Sequence, residues 1–137
     1  MISVIYSACS ESHLCIYYIN MIIYKTFQFD SAHYLPNVPA GHKCGGMHGH
    51  TYTLKIYITG EPGTATGWIM DYTDIKNLTK PHIDLLDHQL LNSIEGLENP
   101  TAENLSMWFW ERIKKDIPNL CRIELNETPT SGVIYEG

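Results

Sequence analysis

From Met21 onward, apolar and polar positions settle into regular patterns. "MIIYKTFQF", rich in β-branched and aromatic residues, reads as a strand. "HTYTLKIYITG" alternates more cleanly. Tyr52, Leu54, Ile56 and Ile58 fall on one side, and Thr51, Thr53, Lys55 and Tyr57 on the other. Between the two, "SAHYLPNVPAGHKCGGMHG" is punctuated by proline and glycine and reads as a loop. The pattern predicts an antiparallel strand pair. After the turn "EPGTATG" a helix begins, with Asp71 as N-cap and Asp74 in the first turn. Its apolar face is Ile75, Leu78, His82, Leu85 and Leu86, and Pro81 inside it should break or kink it. A second helix follows Thr101, with Leu105, Trp108, Phe109 and Ile113 as its buried stripe. "LCRIELNET" and "GVIYEG" are two short strands around "PTS". The order ββααββ predicts an α+β fold, an antiparallel sheet with both helices on one face.

Composition narrows the picture. A chain of 137 residues is expected to form one domain. That domain is read as residues 21–137. Residues 1–20, "MISVIYSACSESHLCIYYIN", lack the basic start of a secretory signal. They are expected to be a loose extension, or to come from a start upstream of the native Met21. The formal net charge of −6 disfavours a nucleic-acid surface. No run is long and apolar enough to predict a membrane span. The four cysteines, Cys9, Cys15, Cys44 and Cys121, form no CxxC pair. They are expected to be reduced thiols of a cytoplasmic protein.

The densest chemistry lies in "HKCGGMHGH", residues 42–50. His48 and His50 share one face of an extended backbone. If the two strands pair antiparallel, His33 at the end of the first arrives beside them. Three histidines with an open fourth position are the pattern of catalytic zinc, although three loop histidines with ordinary hydrogen bonds would give the same string. Cys44 has a spacing that can bind zinc, but no second cysteine lies within finger distance. A proton-transfer thiol or a plain surface cysteine are its other readings. His42 is read as a bystander. In "LDHQLLN", Asp87 can orient His88, but neighbours on a helix do not face each other, so the pair needs an irregular segment. Glu124 and Glu127 sit at a strand end. There they are either solvated or placed to grip an amidine-like ligand edge.

Taken together, "FDSAHYL", "CGGMHGHTY", "GWIMDYTDIK", "LDHQLLN", "NPTAENL" and "ETPTSGVIY" resemble the 6-pyruvoyltetrahydropterin synthase family, and most closely its bacterial 6-carboxy-5,6,7,8-tetrahydropterin synthase branch. The resemblance covers Met21 to Gly137. It implies a tunnelling (T-fold) architecture in which subunits close sheets into an oligomeric barrel, commonly a hexamer of two trimers. It implies zinc on His33, His48 and His50, catalysis by Cys44, Asp87 and His88, and Glu127 anchoring a pterin. The implied reaction converts 7,8-dihydroneopterin triphosphate to 6-carboxy-5,6,7,8-tetrahydropterin, releasing acetaldehyde and triphosphate, in queuosine biosynthesis. A 6-pyruvoyltetrahydropterin synthase and a non-catalytic zinc- or pterin-binding module are the alternatives. Lys25, Lys43, Lys55 and Arg112 are candidates to meet the triphosphate.

Overall fold

The computed structural model describes residues 21–137 and, before them, only the backbone of Val4–Tyr6 (β1) and Ile16–Tyr18 (β2), which pair antiparallel with each other. The expectation of a loose or non-native extension otherwise lies outside the described residues.

The long strand pair is present and longer than its apolar pattern predicts. β3 (Met21–His33) and β4 (His48–Gly60) run antiparallel without interruption from Met21 opposite Gly60 to His33 opposite His48. The polar segments "DSAH" and "HGH" therefore belong to the strands rather than to the loop. β6 (Leu120–Thr128) pairs with β4, and β7 (Ser131–Tyr135) pairs with β6, both antiparallel. One element departs from the expected antiparallel sheet. β5 (Gln89–Leu90) lies parallel to β3 at Ser31 and Ala32, so the sheet is mixed, in the order β5-β3-β4-β6-β7. Two residues are too short to leave a periodic signal. Their place is set by tertiary contacts, including the Ser31 hydroxyl donating to the Leu86 carbonyl at 2.6 Å.

α1 (Tyr72–Asp84) begins at Asp71, whose carboxylate accepts from the Thr73 N–H at 2.7 Å. It continues through Pro81, against the expected break. Pro81 is exposed and lies in the last turn, where the missing N–H removes one intrahelical bond. Ile75, Thr79 and Ile83, buried along one stripe, hold both sides of the proline to the core. Leu85 falls beyond the helix and is exposed, while Leu86 is buried as expected. α2 (Ala102–Asp116) is capped by Thr101, whose hydroxyl accepts from the Asn104 N–H.

Both helices cover the same side of the sheet. There Phe29, Tyr52, Leu54, Ile56, Ile123 and Leu125 meet Ile75, Leu105, Phe109 and Ile113. Side chains alternate across a strand, so the inward positions continue past the end of the helices. On β3 they run Phe29, Ser31, His33. On β4 they run backward through Tyr52, His50 and His48. The apolar alternation that builds the core thus also aims three histidines at one spot. The opposite face carries Gln28, Thr53, Lys55 and Asn126 and is left uncovered by the helices.

Candidate metal centre and active site

His33, His48 and His50 come together, with one ring nitrogen of each within 4.8 Å of the others. For His33 and His48, hydrogen bonds fix which nitrogens face inward. His33 Nδ1 lies 2.9 Å from the Pro100 carbonyl, and His48 Nδ1 lies 2.8 Å from the Gly46 carbonyl. A carbonyl only accepts, so both Nδ1 atoms carry the proton. In the neutral rings both Nε2 atoms then present lone pairs, and these face each other at 3.0 Å. Two bare lone pairs at that distance repel unless a cation joins them. Carbonyl-oriented imidazoles converging on one point are the arrangement of a metal centre. Burial, first of all, lowers the His33 pKa and keeps the ring in its neutral, ligating form; the Pro100 carbonyl opposes this, and the neighbouring His48 adds to it. The histidines fit zinc, and His33, His48 and His50 would hold it.

Asp87 and His88 occupy the irregular segment that their pairing requires. They follow the end of α1, and His88 has φ 58°, a left-handed conformation uncommon outside glycine. His88 Nδ1 lies 3.0 Å from Asp87 Oδ1. That same oxygen accepts the Asp30 main-chain N–H at 2.9 Å. The Asp30 N–H, then His88, holds the Asp87 carboxyl below the usual carboxylate range. The bond to Asp87 engages Nδ1 and not Nε2, and the His88 side chain is 75% exposed.

Cys44 sits in the short 3₁₀ turn Lys43–Gly45, outside the three-histidine group. His42 is more than a bystander, because its Nδ1 accepts the Cys44 N–H at 3.1 Å and caps that turn. Glu127 lies at a β-bulge. Asn126 faces Gly132 and Thr128 faces Ser131, so Glu127 is the extra residue of β6. Bulges re-aim side chains, and this one sets Glu127 apart from the ladder of its neighbours. Glu124 is already paired, bonded to the Tyr57 hydroxyl at 2.8 Å and Lys55 at 3.1 Å.

Two clefts meet at Gly49, His50 and Thr51. One, of about 650 Å³, contains Glu127, and the other, of about 560 Å³, contains His88 and Asp30. Among the basic candidates, Lys55 lines the Glu127 cleft, Lys25 lies over the Tyr72 ring and Arg112 over Trp108. Residues not singled out in the sequence support the site. Pro100 and Tyr52 touch His33, the Tyr52 hydroxyl at 3.3 Å from Nδ1. Asn92 bonds both the N–H and the carbonyl of Tyr34, pinning the chain just after His33. Pro100 and Asn92 lie inside "NPTAENL" and "LDHQLLN", but only the folded backbone reveals what they contact.

Comparison with known proteins gives a consistent picture. Residues 22–137 match the family described as 6-pyruvoyl tetrahydropterin synthase. A 6-carboxy-5,6,7,8-tetrahydropterin synthase of Synechocystis is 36% identical, over 83% of this chain and 92% of its own length. A dihydroneopterin monophosphate aldolase of Pyrococcus furiosus is also 36% identical, over 84% of this chain and 96% of its own. The structure of 6-pyruvoyl tetrahydropterin synthase from Caenorhabditis elegans superimposes with a TM-score of 0.80, covering 86% of this chain and 96% of that one, at 24% identity, and so shares the fold.

Proposed function

The chain belongs to the 6-pyruvoyl tetrahydropterin synthase family, and from that premise we propose that it is a zinc-dependent lyase making 6-carboxy-5,6,7,8-tetrahydropterin from 7,8-dihydroneopterin triphosphate, in the queuosine pathway. The observation that carries this reading is the meeting of two clefts at His50, one bearing Glu127 and the other His88. A pterin held at Glu127 has its side chain directed past His50 toward the acid–base pair.

Each residue then has one task. Glu127 accepts the pterin 2-amino and ring N–H hydrogens through two parallel hydrogen bonds. Zinc, when bound by His33, His48 and His50, supplies positive charge that makes the side-chain hydroxyls easier to deprotonate. Cys44 removes a proton from one face of the side chain. His88, oriented through Nδ1 by Asp87, moves protons at Nε2 on the other. Hydrogen shifted from side chain to ring reduces the ring, so no redox cofactor is required. Triphosphate leaves by elimination, and carbon–carbon cleavage with water releases acetaldehyde and leaves the 6-carboxy group. The active protein is a homo-oligomer, acting on a free pterin in the cytoplasm.

A second reading, supported by the equally similar Pyrococcus relative, is aldol cleavage of dihydroneopterin monophosphate. One assay separates the two. Purified protein is incubated with each substrate, with and without chelator, and the product masses are read. Acetaldehyde and a 6-carboxypterin from the triphosphate, lost with chelator, support the synthase. A phosphorylated two-carbon aldehyde from the monophosphate alone sinks it in favour of the aldolase.

A further inference from the structure

The turn bearing Asp87 and His88 is fastened to the sheet by a residue with no task in the scheme above. Asp30 engages that turn in three ways. Its main-chain N–H donates to Asp87 Oδ1 at 2.9 Å, and its carbonyl accepts the His88 main-chain N–H at 2.6 Å. Its carboxylate clusters with those two side chains, one atom of each within 4.8 Å of the others. The carboxylate is itself fixed, because Thr51, directly opposite in the β3–β4 register, donates its hydroxyl to Asp30 Oδ1 at 2.5 Å.

This arrangement has a physical consequence. Asp30 and His88 are both exposed, so apolar packing does not set the ring's orientation. Polar contacts must set it. Two carboxylates this close repel each other unless positive charge lies beside both. The His88 imidazole is the group in the cluster that can carry it.

We propose that Asp30, fixed by Thr51, is a positioning residue for the acid–base pair. Its carboxylate orients the His88 ring and stabilises the charge that builds there as the ring takes up a substrate proton. The inference rests on the role given to His88 above, and its test separates the two.

The zinc-loaded protein is compared with Asp30→Asn, which keeps both main-chain bonds and the side-chain shape but removes the charge. The expected result is a fall in kcat of about tenfold, with KM changed by less than about twofold and metal content unchanged. Thr51→Val shifts kcat in the same direction by a smaller factor. In a His88→Gln background, Asp30→Asn costs less than about twofold, because the group it acts through is gone. A wild-type kcat in Asp30→Asn, or an undiminished loss in the His88→Gln background, overturns the inference while leaving the role of His88 intact. Full turnover in His88→Gln alone removes that role and the inference with it. A second measurement needs no turnover. The ring ¹⁵N signals of His88, assigned by their loss in His88→Gln, should move between wild type and Asp30→Asn, and superimposable spectra refute the proposal.

Discussion

At the residue scale, the nine positions "HKCGGMHGH" divide by place in the fold. His48 and His50 lie on the inward parity of β4, and Cys44 lies in a separate turn capped by His42. His48→Ala is therefore expected to abolish stoichiometric zinc binding, measured by metal analysis of the purified protein. Cys44→Ala should retain zinc and lose turnover by at least about 100-fold, the scale of a lost acid–base group. Loss of zinc from Cys44→Ala would place the thiol among the ligands instead. The residue types and spacing were enough to nominate His33, His48, His50 and the Asp87–His88 pair. They were not enough to find Pro100, whose carbonyl reaches His33 across 67 positions of sequence. A main-chain acceptor has no side-chain signature.

At the scale of elements, caps and periodicity were legible and irregularities were not. Asp71 and Thr101 cap the helices as their positions predict. Thr101→Ala should cost about 1 kcal/mol in denaturant unfolding. It should also weaken zinc binding, because Thr101 follows the Pro100 carbonyl that orients His33; unchanged affinity would uncouple the cap from the site. Pro81 misled because the rule for proline is local, whereas the buried stripe on either side of it is tertiary. The bulge at Glu127 and the two-residue β5 left no pattern at all. Between β4 and β6, the Tyr57 hydroxyl first, then Lys55, hold the Glu124 carboxyl below its usual range. A depressed folded-state pKa stabilises the fold above the unfolded carboxylate value, and that stability is lost as pH falls through the folded value. Glu124 is partly exposed, so the effect is expected to be under about 1 kcal/mol. Unfolding of wild type and Glu124→Gln should differ most near neutral pH and converge in acid. A gap that persists or widens below about pH 3 would contradict the sign.

For the whole molecule, the helices cover one face of the sheet and leave a polar one bare. Among the described residues, the side of β3 away from β4 has no strand partner from Met21 to Asp30, and Met21, Ile22 and Tyr24 of this stretch are exposed. Ile134 is exposed on β7, at the other edge. Open edges invite pairing with another copy. Sedimentation should give a multiple of the 15.6 kDa chain, about 94 kDa for six copies, and a monomer at micromolar concentration would rule out the barrel assembly. Taken by itself, the sequence determined the α+β class, the core stripes, the helix starts and the chemical types at the site, because periodicity, capping and side-chain chemistry act over a few residues. Tertiary structure alone decided the reach of β3 and β4 through the histidines, the bulge that sets Glu127 apart, the carbonyls that orient the rings and the hold of Asp30 on Asp87 and His88. Each of these depends on backbone groups that every residue carries alike, and which of them meet is fixed only when distant segments pack.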